Sequence, residues 1–320
     1  MKMKILISAL AATTLLPTTA ALGDGYPEKP ITMVVAYSPG GGNDTISRLM
    51  AKHIEPYLGT RMVVENHPGA GGQVGFTRLA RADADGYTIG LLSSPSLFMI
   101  ELLRDGVAYS LDDFQAVANI QSDPILLAVN ASSDYADLAA LTDDIAANPG
   151  YVNVGGDGPQ SNVHLQAAAF ESVLELDTNF ISYSGSGPTA TALLGDEVDA
   201  ALLSTSSALQ FIEAGRIRPL AVFDNARHPA LPDVPTLAEA AGAEVPSVGT
   251  AVRGVAGPAG IPQERLAHLE SAFEQLLQDA DFQAAAANLG IVTHYLDSND
   301  FTEMLKASRE ATAQYIDFMQ

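Results

Sequence analysis

Four short stretches of this 320-residue chain combine glycine or proline with hydroxyl side chains where a strand gives way to a helix. They are Ser38-Pro39-Gly40-Gly41-Gly42-Asn43-Asp44, Ser93-Ser94-Pro95-Ser96, Gly155-Gly156-Asp157-Gly158-Pro159 running on to Ser161, and Ser184-Gly185-Ser186-Gly187-Pro188. Their chemistry is binding. Glycine lets backbone approach a ligand closely, and a helix start leaves N–H groups without partners. The helix dipole adds about half a positive charge there, so such junctions hold anions. None of the four contains Arg or Lys, and the grip they predict is made of backbone amides. Any one loop is explained as well by a tight turn; four together, with hydroxyls beside the glycines, favour binding. His164 falls in the first turn of a helix behind the third loop, where it either lines the site or caps locally.

Reaction chemistry finds little support. Gly40-Gly41-Gly42 is not followed by the Gly-Lys-Ser/Thr of a phosphate-binding P-loop. Gly69-Ala70-Gly71-Gly72-Gln73-Val74 places Val74 where a dinucleotide fingerprint needs glycine, and Ser186 lacks the Gly-x-Ser-x-Gly frame of a nucleophile elbow. The six histidines show no metal-ligand spacing, and Asp112-Asp113 and Asp143-Asp144 read as helix-start or solvated acids. No metal and no cofactor is expected, and an exported α/β enzyme is the weaker reading.

The loops need a scaffold, and the chain alternates strands with helices. Ile31 to Tyr37, Met62 to Glu65 and Tyr87 to Leu92 read as strands. Between the first two, the helical spacing of Ile46, Leu49, Met50, Ile54 and Leu58 ends at Gly59. A second set begins at Ile125 to Val129 and continues through Tyr151 to Val154, Phe180 to Tyr183, Asp199 to Leu203 and Pro219 to Phe223. The chain returns to extended structure at Val248 to Val255 and ends in two helices, which pack most simply on the first sheet. This pattern predicts two α/β lobes with parallel-rich sheets. Lobe one is expected over 24–124 plus 249–320 and lobe two over 125–248, with crossings near 124 and 249.

Residues 1–23 read as a signal peptide. Lys2 and Lys4 precede an apolar run from Ile5 to Leu16, and Ala21 and Gly23 suit cleavage after Gly23. A twelve-residue run spans about 18 Å, too short for a ~30 Å hydrocarbon core. The mature chain would carry 14 basic against 38 acidic residues, a balance that repels nucleic acid and anionic membranes. Absence of cysteine excludes a lipid-anchored N-terminal cysteine, thiol catalysis and cysteine-based metal sites.

Seven segments stand in an order typical of one family. They are Tyr26-Pro27-Glu28-Lys29-Pro30-Ile31, Ser38 to Asp44, Val64-Glu65-Asn66-His67-Pro68-Gly69-Ala70-Gly71-Gly72, Asp85-Gly86-Tyr87-Thr88, Tyr183 to Pro188, Ala230-Leu231-Pro232-Asp233-Val234-Pro235-Thr236, and Ala256-Gly257-Pro258-Ala259-Gly260-Ile261-Pro262. The chain resembles the Bug family, the periplasmic receptors of tripartite tricarboxylate transporters, over essentially its whole mature length. The resemblance implies a type II periplasmic-binding-protein fold with two crossover strands and no enzymatic activity. It implies a monomeric receptor that holds a small carboxylate between its lobes and delivers it to membrane permease subunits. The implied ligand-binding positions are Pro39, Gly40, Gly41, Gly42 and Asn43; Ser93, Ser94 and Ser96; Asp157, Gly158, Ser161 and His164; Tyr183, Gly185, Ser186 and Gly187; and Ser204 with Thr205. Two departures stand near the cleft. Ser184 replaces a lysine common in relatives, and Ser204-Thr205-Ser206-Ser207 replaces an Asp/Asn-Pro turn, which together point to an uncommon ligand. A receptor serving signalling would show the same pattern.

Overall fold

Successive residues of the strand Ile125–Asn130 enter different cores: Ile125, Leu127 and Val129 face one set of helices, Leu126 and Ala128 another. A strand apolar on both faces needs helices on both sides, because its side chains alternate with period two. The computed structural model describes residues 25–158 and 161–319, so the expected signal peptide lies outside the described residues.

The strands are β1 (Ile31–Val35), β2 (Met62–Asn66), β3 (Thr88–Ser94), β4 (Phe114–Asp123), β5 (Ile125–Asn130), β6 (Asn153–Asp157), β7 (Asn179–Tyr183), β8 (Ala200–Ser204), β9 (Ile217–Val222), β10 (Ala251–Pro258) and β11 (Thr293–Leu296). The α-helices are α1 (Gly42–His53), α2 (Glu55–Leu58), α3 (Gln73–Ala80), α4 (Ser96–Leu103), α5 (Leu138–Ala147), α6 (Asn162–Leu174), α7 (Ser186–Leu194), α8 (Thr205–Glu213), α9 (Leu237–Ala241), α10 (Gln263–Gln278), α11 (Ala280–Ala287) and α12 (Ser298–Tyr315).

Two sheets result, ordered β11-β4-β10-β3-β1-β2 and β7-β6-β8-β5-β9. The two-lobed α/β architecture is as expected, but the sheets are mixed rather than parallel-rich. β1 runs parallel to β2 and β3, whereas β10 is antiparallel to β3 and β4, and β11 to β4. In the second sheet β6 is parallel to β7 and β8, while β5 is antiparallel to β8 and β9. The direction follows from the crossings. β4 runs toward the junction and ends there, so a strand returning from it, β10, must lie opposed. β5 likewise leaves the junction and opposes strands that end at it.

Each lobe has its own apolar interior. One face of the first sheet (Met33, Val35, Leu91, Val255) packs on Ile46 and Met50 of α1 and on Leu269 and Phe273 of α10. The other face meets Phe76, Phe98 and Phe301. Burying one such side chain is worth about 1.5–3 kcal/mol. β4, β11, α4, α8 and α11 are elements beyond those the periodicity predicts. β4 alternates poorly because it is buried along most of its length between β10 and β11. The last helix also departs from expectation. α12 lies on β4 of the first sheet, but Tyr315 at its end and Ile316 after it join the second lobe's core. Eighteen residues make a rod of about 27 Å, long enough to reach both lobes.

Candidate functional site

The carboxyl ends of β1, β3, β6, β7 and β8 each lead directly, or through a short loop, into a helix. α1, α4 and α7 begin with no side-chain cap, whereas α6 is capped by the hydroxyl of Ser161, which accepts from the His164 amide at 3.0 Å, and the first amides of α8 are taken by the Pro124 carbonyl and the Asp123 carboxylate. An uncapped start leaves its first amides for another partner.

The first loop is held from behind. The Asp44 carboxylate accepts from the Gly40 amide at 2.8 Å, the Asn66 side-chain amide at 2.9 Å and the Arg48 guanidinium at 3.0 Å. Asn66 also donates to the Tyr37 carbonyl and accepts from Arg48. These contacts, led by the bond from Arg48, hold the Asp44 carboxyl down at about 2. The Gly40 amide is thereby committed to the loop itself. The free first-turn donors belong to Gly42 and the residues after it, where α1 opens behind Gly41.

Beneath that opening lies a polar row across the first sheet. Ser93 on β3, Arg253 on β10 and Gln121 on β4 are register partners and share one face. Arg253 donates through Nη1 to Gln121 Oε1 at 2.9 Å, and its Nε is buried without an acceptor. A Cβ at Gly42 would stand 3.6 Å from Arg253 Nη2. Burial disfavours the guanidinium's charge and the neighbouring Asp123 favours it. At the end of β1, the Tyr37 hydroxyl is buried without a partner. Burial pushes its ionisation up, and the Ser93 and Ser96 hydroxyls stand near enough to oppose this without reaching bonding geometry. Asn43 Oδ1 is a third buried polar atom lacking a partner. Ser94 faces the other way and meets Ser308 of α12 at 3.0 Å. Ser93 and Ser94 are thus the last residues of β3 rather than loop residues. On Ser94's side, a cavity of about 390 Å³ lies between α12 and residues 246–252, lined also by Ser122 and His294.

The second lobe brings its own predicted residues to the facing edge. Asp157 ends β6, and its carboxylate accepts from the Ser186 hydroxyl at 3.1 Å at the start of α7. Burial pushes this carboxyl up, against the hydrogen bonds from Ser186 and Thr189. Gly185 supplies the uncapped N-terminus of α7 at φ 151°, and Gly187 is the second residue of the helix, with open space around it. Tyr183 is the register partner of Asp157, and its backbone carbonyl passes close to Gly158. His164 stacks on Phe180 with ring centroids 4.7 Å apart, and burial lowers its proton affinity. Ser204 bonds Ser207, and the Thr205 hydroxyl donates to the Pro124 carbonyl at 2.8 Å. Asp123 accepts from the amide and hydroxyl of Ser206. These last residues therefore tie the crossing to α8, with their hydroxyls already engaged. Sequence reasoning missed Tyr37, Gln121, Asp123 and Arg253. The available signal was a lone arginine inside the apolar run Ala251-Val252-Arg253-Gly254-Val255.

Two α/β lobes joined by crossing strands, with open helix starts and unpartnered polar atoms at the junction, define a bilobal solute-binding protein of the periplasmic-binding-protein type. The chain belongs to the family described as tripartite tricarboxylate transporter family receptor, which matches residues 46–318. It is 34% identical over 291 residues to the UPF0065 protein of the tcbD-tcbE intergenic region of Pseudomonas sp. strain P51, covering 91% of this chain and 86% of that protein. Among solved structures, a TctC solute-binding protein from Polaromonas superposes with a TM-score of 0.84 at 25% identity, covering 91% of this chain and 99% of that one. MatC from Rhodopseudomonas palustris, solved with bound malate, gives a TM-score of 0.65 at 26% identity, with 92% and 100% covered.

Proposed function

We propose that this protein is an exported receptor that captures a small carboxylate between its lobes in the periplasm and presents it to the membrane subunits of a tripartite transporter. The observation that carries this reading is the gathering of buried, unpartnered polar atoms, Tyr37 Oη, Asn43 Oδ1 and Arg253 Nε, around the open start of α1. A buried polar group without a partner costs about 1–3 kcal/mol, and a ligand that supplies the partners recovers it. Family membership points the same way, as does the malate held by MatC. The two lobes of this reading comprise 24–124 plus 249–320 and 125–248, and the ligand selects a closed arrangement that the membrane partner reads.

Thermal denaturation against a panel of mono-, di- and tricarboxylates tests the reading. A carboxylate at 100 times its Kd should add about 2.7 kcal/mol if it binds only folded protein. In small-angle scattering the same compound should lower the radius of gyration. A clear shift with ATP or NAD, and none with any carboxylate, would overturn the proposal.

A further inference from the structure

Arg253 is a part-buried cation that the fold leaves without an ion pair, and its Nε is buried with no acceptor. It lies on β10 just past the second crossing, flanked on the sheet by Ser93 and Gln121. Among the described residues it makes one hydrogen bond, from Nη1 to Gln121 Oε1, and no ion pair. Its nearest acidic influence, Asp123, uses its carboxylate on the amide and hydroxyl of Ser206. A guanidinium is a planar fork, and its Nε–Nη2 edge is a side that meets both oxygens of a carboxylate with two parallel hydrogen bonds. Gln121 occupies Nη1 and so fixes the fork's orientation without using that edge. Nε is buried and has no acceptor. Nη2 points at the first turn of α1, with 3.6 Å between it and the place a Gly42 Cβ would take. The glycine therefore leaves space where the guanidinium edge and the uncapped helix start converge, with the Tyr37 hydroxyl close by.

Resting on the carboxylate-receptor reading, we propose that Arg253 is the residue that selects a ligand carboxylate, taking both its oxygens on the Nε–Nη2 edge while the first amides of α1 complete the site. The charge is supplied by a crossover strand, not by the glycine loops. The ligand this slot takes must be anionic at the end that enters lobe one. An amide or ester of the same shape offers no second anionic oxygen and leaves the buried charge uncompensated. The slot places no demand on the ligand's other end.

The experiment compares the wild-type protein with Arg253→Met, Arg253→Lys and Gly42→Val, each checked for native near-ultraviolet circular dichroism and a cooperative urea transition. Malate, succinate, citrate, glutamate, benzoate and acetate are the probes, with acetamide as the neutral match for acetate, all at constant ionic strength. Wild type should be stabilised by carboxylates and not by acetamide. Arg253→Met should weaken the tightest carboxylate of the panel by at least about thirty-fold, since truncating one member of a buried charge pair strands the other. Arg253→Lys should weaken it roughly ten-fold, because a point charge replaces the fork. Gly42→Val keeps the arginine but fills the slot, and should lose binding with an unchanged urea midpoint. Equal carboxylate affinity in wild type and Arg253→Met would overturn this assignment while leaving the receptor reading standing. If wild type responds to no carboxylate but is stabilised by sulfate, and Arg253→Met is not, the anion slot stands and the carboxylate reading falls. No response of wild type to any anion overturns both.

Discussion

Replacing Asp44 by asparagine should loosen the glycine loop from the start of α1. The Asp44 carboxylate is only 3% exposed and receives the Gly40 amide, the Asn66 side-chain amide and the Arg48 guanidinium. Asparagine keeps one acceptor oxygen and turns an NH₂ toward the remaining donors. Arg48 is half exposed, so its ion pair adds little. The two amide bonds contribute about 1 kcal/mol each. An independent figure comes from the carboxyl's acidity. At about 1.4 kcal/mol per pH unit, a carboxyl held at about 2 instead of 3.8 contributes at most roughly 2.5 kcal/mol at neutral pH. The loop around it is open to water, and screening there argues for ~1–2 kcal/mol. The folded value lies below the unfolded one. The contribution is therefore present above the unfolded carboxyl's pKa of about 3.9 and lost as pH falls through about 2. Urea denaturation of both proteins at pH 7 and at steps below pH 4 measures it. Asp44→Asn should lose about 1–2 kcal/mol at pH 7, and the gap should narrow as pH falls. A loss under about 0.5 kcal/mol, or a gap that does not change with pH, would refute the reasoning.

Gly249→Ala should unseat the second crossing. The added Cβ would lie 2.6 Å from the Asn162 carbonyl, and the shift would strain the bonds from Asn162 to the Gly249 carbonyl and from the Gly249 amide to Gln166. A loss of about 2–3 kcal/mol is expected in urea, against under about 0.5 for Gly187→Ala, whose Cβ meets nothing within 4 Å. Asp157→Asn should raise the melting temperature at pH 7 and leave it unchanged near pH 3.5. Burial raises this carboxyl, so its contribution is complete below the unfolded value and declines as pH rises through the folded one. A lower melting temperature for Asp157→Asn at pH 7 would contradict that sign.

The elements that carry the loops were legible because their signals are local. Ile46, Leu49 and Met50 repeat at helical spacing and bury one stripe. Ile125 to Val129 is apolar without a break because both faces are covered. Glycine loops stand at strand ends for reasons of turn geometry that neighbouring residues alone impose. The direction of β10 and β5, and the presence of β4 and β11, were not legible. Strand pairing is decided by partners far along the chain, and β4 has no period of its own.

The order of strands and helices, the places where the chain turns, and the scarcity of charge in the binding loops belong to the sequence by itself, since each depends on residues a few positions apart. The site's cation belongs to the tertiary structure. Arg253 lies more than 200 residues from Gly42, and only the register of β10 between β3 and β4 sets its guanidinium beneath the start of α1. The same holds for α12, whose stripe of Phe301 and Leu305 reads as one lobe's helix until Tyr315 is found in the other lobe's core. Periodicity says which face of an element is buried, whereas the surface that covers it is decided when the sheets assemble.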